Sequence, residues 1–287
     1  MEFHPIDIQD RQIYETHYRA GCRMGSDTSF VTPYAWANSF QTNLYIEEDA
    51  ICMRGKSHKG DYYFMLPSGA KNAEGMLRNL YAYCHDQNIP FTLRWLQKEE
   101  LPFLEKLFPG KLLITEVRDA AEYIYDTESL ITLSGKKLHA KRNHVNAFRS
   151  AYSYEIRPID TDNLAEARDF VLARCNSDEE KKAMIRLFDV YLPFSLIGMA
   201  LYVSGQLVAV TVGENIGCET ALIHLEKANT DFTGAYAAVN QLFIENFFSH
   251  TKYVNREEDM GIEGLRRAKL SYRPAFLLEK FTVTEVS

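Results

Sequence analysis

His224 and Glu226 stand two residues apart in an apolar run over residues 220–226 that reads as a β-strand. Alternation along a strand puts both on one side. Asn255 and Glu257 repeat the spacing in the next strand-like run. An imidazole and two carboxylates facing one gap are the groups that acyl transfer needs. A base must take the nucleophile's proton, and nearby donors must steady the developing oxyanion. His224, Glu226 and Glu257 are the candidate catalytic residues on this ground. Plainer alternatives stand beside them: His224 as a core histidine, and Glu226 as a surface partner of Lys227.

Residues 255–274 then place cations where packing alone would not. With Ile262 at zero on a helical wheel of about 100° per residue, Leu265, Arg266 and Lys269 fall within about 60° of it. Arg267 points away. A helix built only to pack would turn its cations outward. Arg266 and Lys269 therefore either hold an anionic group in a cleft or neutralise Glu257, Glu258 and Asp259. With Asn255, Asp259 and Tyr272 they are candidate substrate-binding residues. Residues 134–152 share the oddity: Leu138, Val145, Phe148 and Tyr152 form a stripe, with Lys141 and Arg142 on it or at its margin. Those two side chains either snorkel from an apolar face or contact phosphates of an anionic carrier.

Composition bounds the partners. Hydrophobic residues make up 46% and charged residues 25%, as in a soluble globular protein, and the formal net charge is -7. That balance opposes bulk attraction to nucleic acid or anionic lipid. Any such partner must meet a local basic patch, and residues 134–150 supply one, with Lys136, Lys137, Lys141, Arg142, Arg149 and no acid. No apolar run approaches the roughly 18 residues of a membrane span, and the N-terminus lacks the pattern of a signal peptide. The five cysteines form no CxxC pair or His/Cys cluster, so no metal is expected, and they read as core residues. A cytoplasmic protein is the expectation.

The elements that must position these groups occur twice. Strand-like runs at 43–46, 51–54 and 61–66 lead through a linker to a helix carrying Met76, Leu77, Leu80 and Cys84 on one face. A strand at 91–95, a helix at 99–108 and runs at 112–116 and 122–125 complete the half. The second half repeats the order with strands at 198–203, 207–214 and 220–226. A helix over 234–248, a strand near Tyr253, a helix over 262–270 and a final run at 276–283 follow. Between them lie a helix over 134–152 and helical pattern over 162–191 that breaks near Ser177, with Asp162 and Ser177 as N-caps. The repeat predicts two α/β units, residues 1–128 and 129–287, with the active cleft in the second.

This order of meander, helix and splayed strand pair resembles the GNAT acyltransferase fold in tandem. Residues 123–126, 135–143 and 255–274 look like the C-terminal domain of phosphatidylglycerol lysyltransferases, and more closely its free-standing bacterial relatives. The resemblance implies two tandem GNAT-like units and an acyltransferase. It further implies transfer of an aminoacyl group from an activated carrier such as aminoacyl-tRNA to an amine or hydroxyl. The membrane region that precedes this domain in the lysyltransferases has no counterpart here, so a lipid acceptor is not expected. CoA-dependent members of the fold hold pyrophosphate on an Arg/Gln-x-x-Gly-x-Gly/Ala loop at a helix start. Residues 228–236 keep only Gly234 of its glycines and add Asp231, so acetyl-CoA is disfavoured. Asn229, Thr233, Gly234 and Tyr236 of this loop remain substrate-binding candidates. The alternatives are a CoA-dependent N-acyltransferase and a non-catalytic binding protein for a small amino-acid-like or anionic ligand.

Overall fold

Burial of one face of each strand and one stripe of each helix organises the chain around two sheets. A computed structural model of the protein describes every residue except Glu48, Ala70 and Ser287. It divides into one unit of Met1–Ala121 with Leu278–Ser287 and a second of Glu122–Leu277. In the first, the sheet order is His4–Pro5, Asn43–Glu47, Ala50–Lys56, Tyr62–Phe64, Thr92–Leu96, Phe281–Glu285, Leu112–Glu116. Tyr62–Phe64 and Thr92–Leu96 run parallel, paired through Phe64 and Leu93. The helix Ala73–Asp86 brings Met76, Leu77, Leu80 and Cys84 to the core behind the sheet.

The second sheet runs Phe276–Leu278, Glu122–Asp126, Tyr253–Glu258, Thr220–Ala228, Gln206–Gly217, Ile197–Val203, Tyr154–Pro158. The meander from Tyr154–Pro158 to Thr220–Ala228 is antiparallel, whereas Thr220–Ala228 lies parallel to Tyr253–Glu258. Ala235–Phe247 is apolar nearly all round, and nine of its residues from Ala235 to Ile244 are buried. A helix of that kind can only be central. It packs on the meander and on the helices His139–Ala151 and Thr127–Thr132.

Three expectations are corrected. The final run, expected as one strand of the second unit, is two. Phe276–Leu278 stays in the second sheet, and Phe281–Glu285 is inserted between Thr92–Leu96 and Leu112–Glu116 of the first. Those two strands each need a partner for their inner peptide groups, and Val283, fully buried, fills the core beneath. Ser177 does cap its helix, accepting from the Glu180 N–H at 3.1 Å. Asp162 does not, because the adjoining helix begins at Leu164 after Asn163. Among the cysteines, Cys52 and Cys84 are buried thiols, but Cys175 is half-buried and Cys22 lies at the surface.

Candidate functional site

Strand pairing fails at one place in the second sheet, and the polar residues gather there. Thr220–Ala228 and Tyr253–Glu258 are in register at Thr220–Tyr253, Ala221–Val254 and Leu222–Asn255. Both strands run on, but the ladder stops. A cavity of about 730 Å³ opens beyond it, lined from one strand by His224 and Glu226 and from the other by Arg256 and Glu257. Lys269 and Leu265 of the helix Glu263–Leu270 close one side, with Tyr272 just past its end. Lys141 and His144 of His139–Ala151 close another, and Gly234 and Tyr236 stand at the start of the central helix.

A left-handed residue shapes the second strand. Glu257 has φ of 57°, uncommon for a residue with a side chain, and the register slips between Asn255 and Glu258. The Glu257 N–H donates to Asn255 Oδ1 at 2.7 Å, which fixes this kink. Lys269 completes it. Its ammonium donates to the carbonyls of Arg256 at 2.5 Å, Glu257 at 3.1 Å and Glu258 at 2.5 Å, taking the place of a paired strand. Burial pushes the Lys269 pKa down, against the pull of Glu257.

His224 is held between two carboxylates. Its Nε2 lies 3.0 Å from Glu214 and its Nδ1 3.7 Å from Glu257. Burial disfavours the imidazolium, but the hydrogen bonds and charges of Glu214 and Glu257 outweigh it and lift the pKa to about 9. These partners favour the charged ring, which is a poorer base than a neutral one. It can hold Glu257 in place or donate. Glu226 takes a 2.8 Å hydrogen bond from Asn240 and a 2.5 Å one from Arg256 Nη2, so both its oxygens are engaged. Glu257, 26% exposed, is the carboxylate best open to a ligand. Glu258 lies behind it, and burial and the Glu257 charge raise its pKa to about 7.

Several expected residues turn out to support the site from outside the cavity. Arg266 does turn inward while Arg267 stays exposed, but the guanidinium of Arg266 is spent on Asp259, with Nε and Nη2 at 2.8 and 2.9 Å. Asp259, fully buried, also accepts from Tyr123 at 2.5 Å and from the Gly261 N–H at 2.9 Å. Against the cost of burial, these partners hold its carboxyl well below the usual carboxylate range. Asn255 faces away from the cavity, donating to Glu122. Arg142 donates to the Leu133 carbonyl at 2.5 Å and fastens a turn. Asn229 and Thr233 shape their loop and are not on the cavity wall: Asn229 Oδ1 accepts from Asp231, and the Thr233 N–H donates to the Tyr152 hydroxyl. Within the basic patch Lys136 and Lys137 are exposed, and Arg149 meets Glu245 at 3.3 Å.

The sequence reading missed Arg256, His144 and Glu214. Strict alternation put Asn255 and Glu257 on one side and so turned Arg256 away. The kink at Glu257 undoes that, bringing Arg256 and Glu257 onto the same wall. Nothing in the local sequence announces a left-handed glutamate. Among the described residues no group of three His, Cys, Asp or Glu is arranged to hold a metal, and no helix is long and apolar enough to cross a membrane.

Comparison with known proteins gives the family and the fold. The family described as "Phosphatidylglycerol lysyltransferase, C-terminal" matches residues 19–284. A conserved protein of unknown function from Bacteroides thetaiotaomicron VPI-5482 is 33% identical over the full length of both chains, with a TM-score of 0.91. The C-terminal domain of a putative lysylphosphatidylglycerol synthetase from Agrobacterium fabrum superposes over 96% of this chain and 91% of its own, with a TM-score of 0.65 at 12% identity. A tandem GNAT protein from the clavulanic acid biosynthesis pathway shares the fold at 9% identity, with a TM-score of 0.53 over 99% of this chain and 98% of its own. The uncharacterized protein MYCGA3080 of Mycoplasmoides gallisepticum is 27% identical over 175 residues, 57% of this chain and 56% of that protein. That match spans little more than half the relative's length.

Proposed function

Because the chain belongs to the family of phosphatidylglycerol lysyltransferase C-terminal domains, we propose that it transfers an aminoacyl group from an activated carrier such as aminoacyl-tRNA to an amine or hydroxyl acceptor. One observation carries the reading: the parallel ladder ends after Leu222 and Asn255, and Glu257 stands at the mouth of the gap. The acyl carbonyl lies in that gap, beside peptide groups of residues 223–226 that no longer pair with the neighbouring strand. Glu257 takes the proton of the attacking amine or hydroxyl as the new bond forms. The ester bond to the carrier then breaks, and the carrier's oxygen leaves with a proton. His224, bonded to Glu214 and 3.7 Å from Glu257, keeps Glu257 oriented.

The choice of carrier rests on the loop before the central helix. In a CoA site, free N–H groups at a helix start cradle pyrophosphate. Here the N–H groups of Asn229, Asp231, Phe232, Thr233 and Ala235 each bond within the protein. A Cβ on Gly234 would lie 2.2 Å from the His144 carbonyl oxygen, so a negative dipole crowds the approach. Both features oppose CoA and leave the cavity to an acyl group carried otherwise, with Lys136 and Lys137 available to carrier phosphates.

The test is deacylation. Purified protein is mixed in turn with each of the twenty aminoacyl-tRNAs and a pool of amine and hydroxyl acceptors. One or a few should be discharged with formation of an acceptor conjugate, and Glu257→Gln should abolish it. Discharge of none above the Glu257→Gln rate would refute the proposal. Acetyl-CoA should bind no more tightly than about millimolar, and a micromolar constant by calorimetry would show the loop to be competent after all.

A further inference from the structure

Arg256 holds more donor capacity than the protein uses. Nη2 bonds to Glu226, but Nε and Nη1 are shut from bulk water and have no partner among the described residues. An unmet buried donor costs free energy that a ligand oxygen would recover. A second cation stands close by. Lys141 Nζ lies 4.3 Å from the centroid of the Tyr272 ring, and the Arg256 guanidinium carbon lies 4.8 Å from the same centroid. One aromatic ring thus holds two like charges together. Burial and then the charge of Arg256 depress the Lys141 pKa, the response of a cation lacking a counterion.

The charges of the wall do not balance. His224 is neutralised by Glu214 behind it. Among the cavity-lining residues the cations Arg256, Lys141 and Lys269 outnumber the carboxylates Glu226 and Glu257, while Glu258 acts on Lys269 from behind the wall. A monoanion suits that excess better than a dianionic phosphate, and a carboxylate can accept from one remaining Arg256 N–H through one oxygen while the Lys141 ammonium meets the other.

We infer that Arg256 and Lys141 form a carboxylate subsite, so that the acceptor is an amine carrying a carboxylate: a free amino acid or a short peptide. This rests on the transfer reading above for the word acceptor, though the subsite itself does not. Arg256 and Glu257 are chain neighbours on one wall, so a ligand with its carboxylate at the first presents its amine to the second. An aminoacyl ester has no free α-carboxylate, which assigns the group to the acceptor. The amine nitrogen bonds to the ester carbonyl carbon, its proton passes to the Glu257 carboxylate, and the carbon–oxygen bond to the carrier breaks. The product is an amide, and the proton leaves with the carrier's hydroxyl.

Side-chain ¹⁵N NMR of the whole protein reads the subsite directly. The Arg256 Nε–H signal is assigned by its loss in Arg256→Lys, a variant that keeps the charge facing Glu226. Each of the twenty amino acids is titrated against its own carboxamide, and inorganic phosphate is titrated alone. At least one amino acid should shift the signal saturably, with its amide at least tenfold weaker, and Lys141→Gln should weaken the acid by threefold or more without changing the melting temperature. If no amino acid exceeds its amide, or Lys141→Gln changes nothing, the subsite is wrong. Saturation by phosphate alone would also overturn it, in favour of a phosphate site. Saturation by an amino acid with no discharge of any aminoacyl-tRNA would uphold the subsite while the transfer reading fails.

Discussion

Both units open a parallel strand pair, and they fill the opening in opposite ways. In the first, the pair ends at Phe64 and Leu93, and Tyr63 and Trp95 meet edge to face beside it, ring centroids 4.9 Å apart. Tyr63 is buried, with Arg94 stacked 4.8 Å from its ring, and Gly55 leaves room for its hydroxyl. In the second, the corresponding opening is the charged cavity. The backbone is the same in one telling respect. Two residues past the last paired position stand Trp95 with φ of 62° and Glu257 with φ of 57°. A left-handed residue costs about 1 to 3 kcal/mol, so each unit must hold it by surrounding structure. Since the aromatic-filled unit keeps the kink too, the strain belongs to the fold. The charges are what set the second unit apart.

The largest effect should come from the carboxylate that the first unit lacks. Glu257→Gln should lower the transfer rate by about 10² to 10⁴-fold, the range for removing a general base. Tyr63→Leu should leave the rate per folded molecule within about threefold while costing stability, as a large core residue must. Equal losses of rate would end the assignment of the chemistry to the second unit.

Glycine offers a comparison at matched backbone. Gly234 and Gly110 are both left-handed, with φ of 83° and 70°, but only Gly234 faces a close neighbour, while a Cβ on Gly110 meets nothing within 4 Å. Gly110→Ala should cost about 1 to 2 kcal/mol from backbone strain alone. Gly234→Ala adds overpacking against His144 and should cost about 2 to 4 kcal/mol by denaturant titration. Equal costs would mean that the two helices separate easily, which would weaken the case against CoA.

On the helix Glu263–Leu270, Arg266→Ala strands the buried Asp259. It should cost about 2 to 3 kcal/mol, below the full effect of breaking a buried pair because Arg266 is itself 30% exposed. Arg267, on the outer face, should give under about 0.5 kcal/mol when changed to Ala. A large loss of ligand affinity from Arg266→Ala in folded protein would return this guanidinium to the binding site.

The smallest effect is a slope. The His224 pKa is raised to about 9 in the folded protein. Its stabilisation is thus fully present below its unfolded value, about 6.5, and is lost as pH rises through 9. The melting temperature should fall between those limits in the native protein and less so in His224→Gln. Identical slopes would mean that the ring is neutral, and would restore it as a base.

Local chemistry fixed much of this protein in its sequence alone. Period-2 and period-3.6 patterns set nearly every strand and helix near the site. Their repetition indicated two α/β units, and the wheel sent Lys269 and Arg266 inward and Arg267 outward, although Ile262, placed at the centre of the buried seam, is the exposed N-cap. His224 and Glu226 were legible as neighbours on one wall because a regular strand alternates. What only tertiary structure decided depended on partners far along the chain. Glu214 and Glu257 bias His224 toward its charged form, and Asp259 took up Arg266. The left-handed backbone at Glu257, fastened by Lys269 reaching three carbonyls, broke the alternation and brought Arg256 to the wall. The exchange of Phe281–Glu285 into the first sheet belongs with these. A strand's sequence specifies that it will pair and which face it buries, but the edge it joins is set by which unpaired peptide groups the rest of the fold leaves within reach.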